Sequence, residues 1–397
     1  MTSLAGLAVV AAVVALAGLV SARLRSAAAL VELGLGVGVS ALLPVDTNAP
    51  WLVVLASVGG VALTYVAGSE IDLDAVRRTP GGALALGAAA FVAPFVIVVL
   101  VTSLGFGWSH RAALVAGGVL GETSLAVTYS VLLELRLVSS ELGRLLMAAV
   151  FLTDVAAAAV MTALVSRPSW QLLAFGVGSA MMCALVPVAL RFSRLVGGDR
   201  PSEPGARVVV AALAALLLLA HLGGGVAVLP AFVLGVVASR YYRTQTSELA
   251  RLRTVVMGFL APFVFVRAGM SVSLPAVIAG APVIAALLAA KVLPKAIAAG
   301  GVLRRVPCVG DGRTLWAASA LMSTGLTFGT IINLAALQAN LIDRAQFSTL
   351  AATVLASAIL PGTVAQRLLS RPPIPVALPA QPPAGRGRHE GVGTASR

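Results

Sequence analysis

Asp154 stands in the middle of an apolar run, Phe151-Leu152-Thr153-Asp154-Val155, with nothing beside it in sequence that would give it a structural task. A carboxylate withdrawn from water must be neutralised or paired. Its oxygens are hard ligands, suited to an alkali cation as they are to other hard cations. The same oxygens also take a proton. A single carboxylate that holds either species, one at a time, is the minimum machinery for exchanging a cation against a proton.

Of the 15 acids only Glu32, Glu122 and Asp154 fall within apolar stretches, and an ionisable residue in such a stretch is a functional candidate by default. Glu32 lies in the first turns of its stretch and reads as a boundary residue. Glu122 belongs to a Gly-rich cluster and is the candidate second acid. Lysine usage points the same way: Arg serves every loop, and both lysines, Lys291 and Lys295, share one apolar stretch. Lysine can give up its proton where Arg stays charged. The i, i+4 spacing puts both on one helix face as charge-compensating groups, with Pro294 between them to free a carbonyl. Arg267, about a turn from the end of its stretch, reads as a snorkelling residue.

Two further clusters combine Gly with Ser or Thr in mid-stretch: Gly117-Gly118-Val119-Leu120-Gly121-Glu122-Thr123-Ser124 and Ser323-Thr324-Gly325-Leu326-Thr327-Phe328-Gly329. They predict broken helices, whose half-helix ends point partial charges at whatever binds between them. Thr123, Ser124, Ser323, Thr324 and Thr327 are then available to complete a site around Asp154.

The elements carrying these residues are transmembrane helices. The chain has 397 residues, 59% hydrophobic and 11% charged, and the apolar residues come in blocks. Blocks of roughly 17–25 residues match a helix crossing ~30 Å of hydrocarbon, and they lack the period of two that barrel strands require. Thirteen spans are expected, near 4–22, 27–43, 51–69, 82–104, 110–131, 142–165, 169–190, 206–220, 224–240, 254–271, 276–303, 313–334 and 346–368. Residues 4–20 could pass for a signal-peptide core, but no Lys or Arg precedes them and they complete a consistent topology.

The net charge of +13 has a positional explanation. Alternate loops and the tail hold 22 Arg against three on the other side, with Arg267 and the two lysines inside spans. The positive-inside rule then puts the N-terminus outside and the C-terminus inside the cytoplasmic (inner) membrane, with no nucleic-acid partner implied. Cys183 and Cys308 give no disulfide framework, and His110, His221 and His389 are too scattered for a metal site. No cofactor is expected beyond the transported ions.

A transmembrane domain over 1–369 is expected, with halves near 1–165 and 206–369 joined by the polar stretch 197–207. The two clusters fall in the fifth and twelfth spans. An offset of seven spans makes the halves an inverted repeat. Residues 370–397, rich in Pro, Gly and Arg, read as a disordered cytoplasmic tail, and nothing else is left to fold as a soluble regulatory domain.

Several stretches resemble the monovalent cation:proton antiporter superfamily, which includes Kef-type and sodium–proton exchangers. They are YVAGSEIDL at 65–73, GETSLAV at 121–127, Thr153-Asp154, FLAPFVFVRAGMSVSL at 259–274, Lys291-Val292-Leu293-Pro294-Lys295, and the stretch from Ser323 to Asp343. The resemblance implies an all-α polytopic fold of about thirteen helices, two of them discontinuous and crossed, and a homodimer. It also implies that Asp154 is the cation and proton site with Thr153 beside it, that Thr123 and Ser124 are crossover ligands, and that Lys291 is the better match to the core lysine. Leu125 replaces the crossover proline, Glu122 stands where a small residue is common, and Thr153 is not a second Asp.

The expected function is secondary antiport of Na⁺ or K⁺ against H⁺ by alternating access around Asp154. Thr153 cannot titrate, so the exchange is expected to be close to electroneutral unless Glu122 acts as a second carrier. Two same-fold alternatives are a Na⁺-coupled organic-anion symporter and the pore subunit of a K⁺ efflux system with a separate regulatory subunit. An intramembrane protease would need paired catalytic acids in a motif, or a Ser–His pair; neither is present. The chain is not expected to be an enzyme.

Overall fold

A computed structural model describes residues 3–24, 28–43, 45–70, 80–134, 136–137, 140–165, 169–197, 204–242, 245–307 and 309–369. The expected tail at 370–397, positions 198–203 of the central linker, 71–73 of the third-span motif and Cys308 lie outside the described residues.

Most described residues are helical, and they give 11 stretches long and apolar enough to cross a membrane, three of which (His110–Leu132, Thr246–Met270 and Gly312–Gln338) join two helices; two more helices, of 15 residues each, are apolar but shorter. In chain order the helices are α1 (Ser3–Leu24), α2 (Ala28–Leu42), α3 (Pro50–Ser69), α4 (Pro80–Leu100), α5 (His110–Gly121), α6 (Leu125–Glu134), α7 (Glu141–Val165), α8 (Trp170–Gly197) and α9 (Pro204–Gly223). The second half holds α10 (Val228–Tyr242), α11 (Thr246–Val255), α12 (Ala261–Met270), α13 (Leu274–Ala279), α14 (Ala281–Leu303), α15 (Gly312–Met322), α16 (Thr327–Gln338) and α17 (Arg344–Leu369). Large apolar side chains face outward along α8, among them Trp170, Leu173, Val177 and Met181, as a lipid-facing helix requires.

Local chemistry explains the irregular points. Pro262 has no N–H to give the preceding turn, so the ladder between α11 and α12 widens into a π turn, Val256–Leu260, closed by the Ala261 N–H on the Val256 carbonyl. The single span expected at 276–303 divides at Gly280, which ends the short α13 and opens α14. Asp311 caps α15 by accepting from the Thr314 N–H at 2.9 Å.

Two groups of helices emerge. In the first, α12 packs on α2 and α10 packs on α3. Each pairing rests on two glycines: Gly36 with Gly269, and Gly68 with Gly235. A Cβ on Gly36 would meet the Val266 carbonyl oxygen, one on Gly269 the Leu33 carbonyl, one on Gly68 the Phe232 carbonyl and one on Gly235 the Tyr65 carbonyl. With no hydrophobic drive between helices in lipid, this backbone-to-backbone approach supplies the packing. The second group contains α4 to α7 and α14 to α17, with α14 lying along α4, α15 and α17.

Candidate functional site

The site is built where two helices stop in mid-span. The first breaks at Glu122–Ser124, between α5 and α6; the second breaks between Met322 and Thr327, separating α15 from α16. A break frees the last carbonyls of one half-helix and the first N–H groups of the next, and each needs a partner. Here the two breaks partner one another. Ser124 N–H donates to the Thr324 carbonyl at 3.1 Å, and Thr123 Oγ1 donates to the Met322 carbonyl at 2.9 Å.

Each remaining half-helix end meets a group of suitable sign. Lys295 Nζ donates to the Gly121 and Glu122 carbonyls, both at 2.6 Å, so its ammonium sits on the negative C-terminal end of α5. The Glu122 carboxyl lies at the other break, faced by the Gly329 and Leu326 amides at the start of α16. Neither of its oxygens closes a hydrogen bond. Ser124 Oγ accepts from Val127 N–H at 3.3 Å, capping α6.

Asp154 projects from α7 and is 1% exposed; its Oδ1 has no hydrogen-bond partner. It interacts electrostatically with Glu122 and Lys295. Its neighbour Thr153 accepts from Thr123 N–H at 3.1 Å and donates to the Val150 carbonyl at 2.7 Å, tying α7 to the first break. Lys291, on the same face of α14 as Lys295, reaches only the Glu122 carbonyl, at 3.4 Å. Thr123, Ser124, Thr153, Ser323, Thr324 and both lysines are fully buried, while Thr327 is half-buried at the start of α16. Ser323 and Thr324 turn their hydroxyls back onto the Ser319 and Leu321 carbonyls.

Glu122, the candidate second acid, is as deep as Asp154, at 0% exposure. Gly325 and Gly329 leave the space that Glu122 and Lys291 occupy: a Cβ on either glycine would stand 2.7 Å from Glu122 Oε1, and on Gly325 it would also meet Lys291 Nζ. Thr128, one turn beyond the first break, is fully buried with an unpartnered hydroxyl. Asn333, on α16, donates to the Phe347 carbonyl at 3.0 Å and leaves its own oxygen unpartnered. Thr128 and Asn333 were not read from the sequence, because a lone Thr or Asn in an apolar helix carries no spacing signal. Of the two residues read as boundary groups, Glu32 is 5% exposed in the first turns of α2, and Arg267, at 4%, donates its Nε to the Thr47 carbonyl in the turn before α3 at 3.1 Å.

A cavity of ≈ 510 Å³, lined by Gly60, His221, Val228, Val264, Ile331 and Gln338 among others, opens between the two helix groups. One turn further along α10 and α16, Phe232 packs edge-to-face on Phe328 at 5.3 Å and stacks on Phe151 of α7, also at 5.3 Å. These rings join α10, α16 and α7 one turn beyond the cavity lining. Among the described residues no group of three or more His, Cys, Asp or Glu could hold a metal ion.

Fold and site together define a multi-pass α-helical membrane protein organised around two interrupted helices. The chain belongs to the family "Sodium/hydrogen exchanger, transmembrane", whose model matches residues 8–371. It is 29% identical over 235 residues to Cation/H(+) antiporter 18 of Arabidopsis thaliana, covering 54% of this chain and 29% of that protein. It is 23% identical over 363 residues to the Na(+)/H(+) antiporter NhaS5 of Synechocystis, covering 86% of this chain and 51% of that protein. The chain thus spans about half or less of these relatives. Among solved structures, the sodium proton antiporter MjNhaP1 from Methanocaldococcus jannaschii at pH 8 superposes with a TM-score of 0.65 at 14% identity, covering 94% of this chain and 100% of that one. The likeness is one of fold.

Proposed function

We propose that the chain exchanges a monovalent cation, Na⁺ or K⁺, for H⁺ across the cytoplasmic membrane by alternating access, with Asp154 as the shared site. The observation that carries this reading is the Asp154 carboxyl, buried beside two helix breaks with one oxygen unpartnered. Family membership supports it. Proton and cation compete for that oxygen. Thr123, Ser124 and the second-break residues Ser323, Thr324 and Thr327 line the site, and the lysines balance its charge. Thr153 acts by fixing the first break, since its hydroxyl is committed to Val150 and Thr123. The cavity beside His221 and Gln338 provides access from one face, and movement of one helix group against the other opens the opposite face. An inverted repeat, an N-outside orientation and a homodimer belong to the same reading.

The test is purified protein in proteoliposomes with an internal pH dye, challenged with Li⁺, Na⁺, K⁺ or Rb⁺. Wild type is expected to move protons on addition of Na⁺ or K⁺. Asp154→Asn is expected to abolish that flux while eluting as a folded species. Full cation-driven proton flux in the variant would refute the assigned site.

A further inference from the structure

The helices around the buried site also enclose an apolar space on their outer side. A groove of ≈ 720 Å³ lies between α14, α15 and α17. Leu293, Trp316 and Leu360 line it and are themselves exposed, so it opens sideways toward the bilayer. Small side chains on α14 and α15, such as Ala289 and Ala320, leave it hollow. One end is Ser323, whose hydroxyl is already committed as a donor to the Ser319 carbonyl. The other end holds Arg313, in the first turn of α15, the one charged side chain among the described lining residues.

Length and charge together select an occupant. The lining runs from Gly312 to Ser323 along α15 and from Ala285 to Ala296 along α14, in each case ~16 Å at the helical rise. That is about half of the ~30 Å hydrocarbon core, the depth of one leaflet. A lipid chain fits that length, and a helix that crosses the whole bilayer does not. The helix ends around the charged end of the groove are basic. Arg304 and Arg305 follow α14, and Arg367 lies in the last turn of α17, all three exposed. The acid beside Arg313 is Asp311, whose carboxylate is engaged by the Thr314 N–H at 2.9 Å. A guanidinium at a membrane surface is matched by a phosphodiester, and an indole one turn below it sits at headgroup depth.

We propose that this groove is a binding site for one anionic phospholipid, with its phosphate on Arg313 and an acyl chain along α15 toward Ser323. The bound chain packs behind the half-helix whose Met322 carbonyl accepts from Thr123, so it supports the second break from the lipid side. The proposal stands apart from the exchange reading, because it needs only helices that span a bilayer.

The test uses full-length protein with Trp51, Trp108 and Trp170 each replaced by Phe, which leaves Trp316 as its only tryptophan. It is placed in phosphatidylcholine vesicles holding a small, equal fraction of either phosphatidylglycerol or phosphatidylcholine brominated in mid-chain, a quencher that acts on contact. Trp316 quenching is expected to report a roughly fivefold enrichment of phosphatidylglycerol, the worth of one Arg near a membrane surface. Arg313→Gln is expected to remove that enrichment, and Ala289→Phe, which fills the groove away from the charge, to reduce it. Equal quenching by the two lipids, an enrichment that survives both variants, or a Trp316 shielded from both lipids by a second copy of the chain would each overturn the site. Relief of quenching by added inorganic phosphate would show a site for the free anion and overturn the lipid. Native mass spectrometry of the unaltered protein, released from mixed micelles of the two lipids, needs no variant to fold. Retention of one phosphatidylglycerol supports the site, and retention of neither lipid, or of both equally, overturns it.

Discussion

The glycine contacts that join α2 to α12 and α3 to α10 differ in kind from the contacts that join the two broken helices. In the first region backbone meets backbone with no side chain between, and a Cβ on any of Gly36, Gly68, Gly235 or Gly269 would strike a carbonyl oxygen. In the second region the connections are a few directed hydrogen bonds, one lysine on a helix end, and polar atoms left without partners. Close-packed interfaces are stiff because every neighbour resists displacement. Unpartnered buried polar groups are costly and are found where a function needs them. On the proposed reading, one region is built to stay as it is and the other to change its occupant.

The largest effect is expected where packing is tightest. Gly235→Leu puts a branched side chain against the Tyr65 carbonyl, so α3 and α10 must separate. The cost should reach or exceed the ~3 kcal/mol upper end of ordinary overpacking. Size-exclusion profile and detergent thermal unfolding would read it, and a wild-type melt would erase the contrast between the regions. A smaller loss, about 2–3 kcal/mol, is expected for Lys295→Met, which removes two charge-assisted bonds from the end of α5. The same unfolding assay applies, and an unchanged melting temperature would show that α5 closes its own break. The smallest effect belongs to Asp311→Ala. Hydrogen bonding from Thr314 holds the Asp311 carboxyl below the usual carboxylate range. A depressed carboxyl contributes stability above its unfolded value and loses it as pH falls through the folded one. The variant should therefore melt slightly below wild type near neutral pH, and the gap should close in acid. A gap that persists in acid would mean the cap acts other than through the carboxylate.

Much of the candidate site's arrangement could be read from residue type and position. Asp154 was conspicuous because a charge in an apolar run has no cheap structural explanation, and the breaks were marked by Gly beside Ser and Thr. The π turn was less visible: Pro262 was in plain sight, but a missing N–H can be answered by a kink, a break or a widened turn, and only packing selects among them. The roles of the lysines were hidden for a related reason. Motif position favoured Lys291, whereas the two short bonds to the end of α5 belong to Lys295, and sequence spacing cannot say which ammonium reaches across to another helix. Glu122 was visible as an acid but not as a fully buried one, because its depth depends on Gly325 and Gly329, some 200 positions away in the chain.

If the chain exchanges ions as proposed, the cavity beside His221 also has a consequence for the electric field across the protein. On the exchange reading, water entering this recess past Ser57, His221 and Gln338 would carry the potential of the solution it opens to, so little of the transmembrane voltage would fall along its length. The drop would then fall mainly beyond the packed rings of Phe232 and Phe328. A charge stepping from the cavity floor to the opposite face crosses most of the potential, worth ~2.3 kcal/mol per 100 mV for a full crossing. A charge entering the cavity crosses almost none. Any variant that carries net charge should therefore show its voltage dependence in the step that carries charge past these rings, and very little in the apparent affinity for a cation arriving through the cavity.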